Sequence, residues 1–255
     1  MIPCGPESGS AEPRVQVVDL GRMSYADAYE EQNRRVADAL ALRESGGASP
    51  GVLLLVEHDP PVITVTRRPG AMQHLLADDA TLLRRGVTVA DTDRGGDITY
   101  HGPGQLVVYP IIDLNWYGLR LHDYMRLLEE VVIGVCGQFG VRAGREPGAT
   151  GVWVASDDAQ AGSATKICAL GVRVRRWVSM HGLALNVTTD LSHFDLIVPC
   201  GLAGRRVTSL RQELGSACPD IALVKQAMIG HFQRQLTDRR RAVSASNSAG
   251  GPTPA

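Results

Sequence analysis

Residues 167–187 read ICALGVRVRRWVSMHGLALNV. Apolar and β-branched side chains dominate Ile167–Val174, Trp177–Met180 and Leu183–Val187, and these three runs read as strands. Arg175 and Arg176 are all that separates the first two runs. Parallel neighbours need a crossover of a dozen residues or more, so runs this close pair as hairpins.

Working outward, a strand is expected at Val15–Leu20, then a helix from Ser24, its N-cap, to Arg43. Strands follow at Val52–Glu57 and Val62–Thr66, separated by Pro60 and Pro61. A short helix near Ala77–Arg85 leads to a strand at Val87–Thr92, a glycine-rich segment and a β-branched run at Leu106–Ile112. Leu121, Tyr124, Leu128, Val131, Val135 and Phe139 recur at helical spacing and mark a core-facing helix. A strand at Val152–Ala155 precedes the quoted stretch, and a helix from Asp220 to about Gln235 closes the pattern. Helices mixed with hairpin-like neighbours define an α+β fold with a central mixed, largely antiparallel sheet and flanking helices, over a strictly alternating doubly wound one.

The 255 residues suit one large domain, here 14–237, able to bury roughly 70 to 75% of its unfolded surface. Residues 1–13 and 238–255 are rich in Gly, Pro, Ser and Ala and are expected to be disordered. A formal net charge of −1 gives no footprint for nucleic acid. Five cysteines at irregular spacing, with no CxxC pair, fit a reducing compartment without disulfides. No charged n-region precedes an apolar one, and no apolar run reaches about 18 residues, so the expectation is a cytoplasmic protein with no membrane partner.

Chemistry gathers in three places. RGGDITYHGPGQ, residues 94–105, holds four glycines and a proline, which admit close approach of a ligand, beside Arg94, Asp97, Thr99, Tyr100 and His101. It has neither GK[ST] nor GxGxxG, so it is not a phosphate or dinucleotide loop. Cys200 sits between Pro199 and Gly201, a loop context that exposes a thiol, whereas Cys136 and Cys168 fall in apolar elements as small core residues. Of 26 basic side chains only Lys166 and Lys225 are lysines. Arginine never gives up its proton and lysine can, so Lys166 is a candidate for proton transfer and for holding a nearby thiol as thiolate. His101, His181 and His193 compete for that role, and a Cys-His pair would define a peptidase or amidase; spacing leaves the choice open.

RGGDITYHGPGQLVVYPIIDL, then GVWV, K-x-x-A-L-G-V-R-V, HGLALNV and IVPCGL occur in the order found in lipoyl(octanoyl) transferases, which residues 15–235 resemble. The resemblance implies a fold similar to the biotin and lipoate protein ligases. It implies Cys200 as the cysteine that carries the octanoyl thioester and Lys166 as its acid/base partner. It also implies an acyl and substrate pocket lined by Arg94, Gly95, Gly96, Asp97, Ile98, Thr99, Tyr100 and His101, by Ala169, Leu170 and Gly171, and by Gly182, Leu183 and Ala184. The donor would be octanoyl-acyl carrier protein. The acceptors would be lipoyl domains of 2-oxoacid dehydrogenase E2 subunits and the glycine cleavage H protein. No cofactor or metal is called for, because thioester energy drives the transfer. An ATP-dependent ligase of the same fold and a non-catalytic carrier-protein binding module are the alternatives. Cys168, where many relatives have a small residue, adds a thiol close to Lys166.

Overall fold

A computed structural model describes residues 14–155, 164–198 and 205–249. Its strands are β1 (Gln16–Met23), β2 (Val52–His58), β3 (Val62–Thr66), β4 (Thr88–Thr92), β5 (Thr99–His101), β6 (Gln105–Ile111), β7 (Ala143–Glu146), β8 (Ala149–Val154), β9 (Thr165–Arg175) and β10 (Val178–Asn186). The helices are α1 (Tyr25–Glu44), α2 (Asp79–Arg85), α3 (Leu121–Gln138), α4 (Leu210–Leu214) and α5 (Ile221–Ala249). Seven strands form the main sheet in the order β1-β2-β6-β10-β9-β8-β7, and only β1 and β2 run parallel. The expected mixed, largely antiparallel sheet is therefore present.

The two faces of that sheet bury different sets of residues. Alternation sends Leu53, Leu55, Leu106, Val108, Leu183 and Leu185 toward α3 and α5, where Tyr124, Leu128, Val131, Met228 and Phe232 complete the larger core. Leu54, Val56, Val107, Tyr109 and Ala184 face α1, whose buried stripe of Tyr25, Ala28, Gln32, Val36 and Leu40 has the spacing of one helix face. Ser24 caps α1, accepting from the Asp27 N–H, as anticipated.

A second sheet, β4-β3-β5, carries its own apolar cluster of Ile63, Ile98, Tyr100, Phe194 and Leu196. Thr99–His101 of the glycine-rich stretch thus forms a strand, because β3 supplies hydrogen bonds that local composition cannot announce. Strand β7 and helix α4 were not anticipated, both being short. The break expected between Met180 and Leu183 is absent: β10 runs unbroken, and its irregularity is confined to the dihedrals of His181 (φ 57°). The β9–β10 hairpin turns through Arg176 and Trp177, both with positive φ (50° and 67°), the geometry of a two-residue turn matched to strand twist.

Residues 238–249, expected to be disordered, continue α5. Alanine and arginine in that stretch favour helix, and tertiary contacts fix it. The Arg240 guanidinium lies 3.8 Å from the Trp116 ring centroid and donates to the Trp116 carbonyl (3.0 Å), while a side chain at Gly118 would strike Val243 (2.7 Å). Residues 1–13 and 250–255 fall outside the described residues. Among those described, no helix is long and apolar enough to cross a membrane. Replacing Arg240 by Ala is expected to cost about 1 kcal/mol, from the lost cation–π contact and hydrogen bond. An unchanged urea unfolding midpoint would show that this end of α5 does not hold the body of the protein.

Candidate active site

On the α1 face, the side chains that should cover β9 and β10 are missing. Ala184 pairs with Ala169 and Gly182 with Gly171, so four adjacent positions present almost no bulk. A methyl on Gly182 would lie 2.2 Å from the Val108 carbonyl oxygen, and one on Gly171 would lie 2.8 Å from the Gly95 carbonyl oxygen. The result is a cleft open to solvent, with about 470 Å3 of atom-free space that includes the solvent at its mouth.

Arg94, Gly96, Asp97, Thr99 and His101 form one wall, and Ala169, Leu170, Gly171, Gly182, Leu183 and Ala184 the floor. Three of the residues expected there are placed differently. The Gly95 N–H donates to the Val172 carbonyl (2.9 Å), which holds the loop against β9. Ile98 and Tyr100 are packed into the core of the small sheet. Tyr25, Val107, Tyr109 and His181 also line the cleft. Tyr25 comes from α1 and lies in none of the motifs, whereas Val107 and Tyr109 lie on β6 within the RGGDITYHGPGQLVVYPIIDL block.

His181 reaches the cleft through its backbone. Strict alternation would send its ring to the α3/α5 side with Leu183, yet the ring stacks on Tyr29 of α1 (5.8 Å). The left-handed conformation at His181 turns it across, and the fully buried Gln32 pins that turn by accepting from the His181 N–H (2.8 Å). His181 Nε2 meets Asp93 (2.8 Å), which also accepts from Tyr29 (3.0 Å) and Arg173. Asp93 immediately precedes the Arg94–Asp97 wall, so this cluster ties the wall to the floor.

Around Tyr109 the cleft is polar, and burial shifts its imidazoles and phenols. His58 shares a 2.7 Å hydrogen bond with Tyr109, and burial depresses its pKa to about 4. Burial, reinforced by His58 and Arg94, holds His101 well below the ordinary histidine range. His181 is also lowered by burial, with Asp93 opposing. Burial raises Tyr25 and pushes Tyr109 well up.

His101 Nδ1 meets Gln105 (2.8 Å), Gln105 donates to Asn186 (2.9 Å), and Asn186 donates to the Thr208 carbonyl (2.9 Å). The Thr208 N–H in turn donates to the Lys166 carbonyl (2.9 Å) and the Lys166 N–H to Arg206 (2.9 Å). This buried chain fixes the Lys166 backbone relative to the glycine-rich wall. Lys166 is buried, three residues before Ala169 on the same strand. Cys200 lies outside the described residues. The chain before it is held where the Val198 N–H donates to the His74 carbonyl (2.8 Å), and the chain after it where Arg206 meets Lys166.

Cys136 and Cys168 are buried, as expected of core thiols, and burial raises both above the ordinary thiol range. His193 is half-buried and stacks on Tyr100 at 4.9 Å. Lys225 pairs with both Asp19 oxygens at 2.9 Å, across from the cleft.

The fold is similar to that of solved lipoate protein ligases. The bipartite lipoate protein ligase of Thermoplasma acidophilum superposes with a TM-score of 0.65 at 18% identity, covering 88% of this chain and 84% of that one. A lipoate-protein ligase A bound with ATP gives 0.61 at 19% identity over 89% and 86%. The chain belongs to the lipoyl protein ligase A/B catalytic domain family, whose pattern matches residues 30–233. Within it, an octanoyltransferase of Bacteroides fragilis is 45% identical over 210 residues, 82% of this chain and 92% of the relative. One of Christiangramia forsetii is 42% identical over 225 residues, 86% and 94%. The protein is thus an enzyme of the acyltransferase class.

Gly182→Ala is expected to destabilise the fold by about 1–3 kcal/mol, because the methyl meets backbone that cannot move aside. Wild-type stability in that variant, read from a urea melt, would contradict the close contact. His58 gives a pH prediction. Its folded pKa is about 4 and its unfolded value 6.5, so the charged form is disfavoured in the fold and stability falls as pH drops from 6.5 toward 4. The loss from His58 alone approaches about 3 kcal/mol near pH 4, with His101 acting in the same direction. A His58→Asn variant whose stability declined as steeply between pH 7 and 4 would assign the acid sensitivity elsewhere.

Proposed function

We propose that this enzyme, working in the cytoplasm, moves an octanoyl group from octanoyl-acyl carrier protein to the target lysine of lipoyl domains. The acceptors are those of 2-oxoacid dehydrogenase E2 subunits and of the glycine cleavage H protein. The Cys200 thiolate attacks the thioester carbonyl, the bond to the phosphopantetheine sulfur breaks, and Lys166 protonates the departing thiolate. The lipoyl lysine amine then attacks the octanoyl-Cys200 thioester, Lys166 takes the proton that amine loses, and Cys200 leaves as thiolate. The product is an octanoyl amide, and proton and charge return to their starting places.

The observation that carries this reading is the cleft. Its floor of Ala169, Gly171, Gly182 and Ala184, with Val107 beside it, gives apolar room for a short unbranched chain. Burial keeps His101 and His58 neutral at pH 7, so neither brings a cation toward a thiolate, which supports Lys166 in that place. The relatives' name, octanoyltransferase, supports the group transferred.

Intact-mass measurement after mixing the enzyme with octanoyl-acyl carrier protein is the direct test. Wild type is expected to gain one octanoyl group without ATP, and Cys200→Ser to gain none. Labelling of Cys200→Ser, or a requirement for ATP, would sink the proposal. Lys166→Arg should keep the charge and lose turnover by about 100-fold or more, the scale of a general acid–base contribution. Turnover near wild type in that variant would leave Lys166 as a charge only.

A further inference from the structure

Trp153 on β8 faces Lys166 on β9 across a register irregularity, and the Lys166 ammonium lies 4.6 Å from the indole centroid. The Arg205 guanidinium lies 5.2 Å from the same centroid. Arg205 is itself fixed by Glu146, whose Oε1 accepts from both terminal guanidinium nitrogens at 3.0 and 3.1 Å. One buried ring therefore meets both the lysine and the first described residue after the Cys200 segment.

The indole N–H of Trp153 is buried and makes no hydrogen bond among the described residues. Buried tryptophans ordinarily satisfy that donor, and a phenyl ring would avoid the cost of leaving it unmade. What indole offers beyond phenyl here is a broader and more electron-rich face for a cation. Gly151 supports the same arrangement: a methyl there would lie 3.2 Å from Lys166 Cε and 2.8 Å from the Cys168 carbonyl oxygen. The glycine leaves the lysine stem its path to the ring.

We infer that Trp153 is a positioning residue, whose ring holds the Lys166 ammonium at the angle proton transfer needs and braces it against the Arg205 flank. This rests on the acid/base reading of Lys166 given above. Because the ring acts through Lys166 and lies outside the cleft lining, its loss should lower kcat and leave KM for the octanoyl donor nearly unchanged.

Steady-state kinetics with octanoyl-acyl carrier protein on Trp153→Leu and Trp153→Phe tests this. Trp153→Leu is expected to lower kcat about tenfold with KM within about threefold, and Trp153→Phe to recover much of the loss, as the ordering of ring faces requires. Equal losses in the two variants, or a loss confined to KM, would overturn the inference. Full turnover in Trp153→Leu beside an inactive Lys166→Met would overturn it alone. Full turnover in Lys166→Met would remove the acid/base reading as well. Should Trp153→Leu not fold, fluorescence decides: with Trp116 and Trp177 changed to Phe, Trp153 is the only one of the three indoles left. Its emission is expected to shift in Lys166→Met, and an unchanged spectrum would overturn the contact.

Discussion

A side chain cannot stand at Gly182, because the Val108 carbonyl occupies the place where its β-carbon would go. That contact lets β10 lie tight against β6, while Gly171 across the ladder lies under the Gly95 carbonyl. Everything the cleft does depends on this pair. With larger residues there, the α1 face would close as an ordinary core, as it does a few residues away around Met180 and Val178. The hydrogen bond from Gly95 to Val172 then sets the glycine-rich wall over the opening.

Polar groups are organised around that opening in two assemblies, one half-buried and one buried. Tyr29, Asp93, Arg173 and His181 tie the wall to α1 and to both strands of the floor. His101, Gln105, Asn186 and Thr208 run the other way, to the backbone of Lys166. Buried polar groups are costly unless satisfied, so the second of these assemblies marks where geometry has been held against the apolar alternative. Burial also keeps the nearby histidines neutral, leaving lysine and arginine as the cations of the neighbourhood.

Much of this was legible along the chain. The helical spacing in α1 and α3 and the β-branched runs of β2, β3 and β6 follow from alternation and periodicity, and they were readable because a strong pattern repeats over many residues. Strand β5 was hidden, being three residues long and stabilised by β3. The end of α5 was misread because its small and polar residues resemble a tail, and only Trp116 and Gly118 reveal what it packs on. Lining residues in the glycine-rich motifs were visible in sequence. Tyr25 was not, since α1 meets the cleft only once it has packed on the assembled sheet.

The sequence by itself determined the α+β class, the ordered motif blocks and the isolation of Lys166 among arginines, because each is a property of local composition or spacing. Tertiary structure alone decided that Ala169, Gly171, Gly182 and Ala184 share one bare patch, that His181 turns onto it, and that Lys166 lies against Trp153. Those outcomes depend on strand register and on a left-handed residue within a strand. Both are set by pairing with partners distant along the chain, whose identity no local pattern encodes.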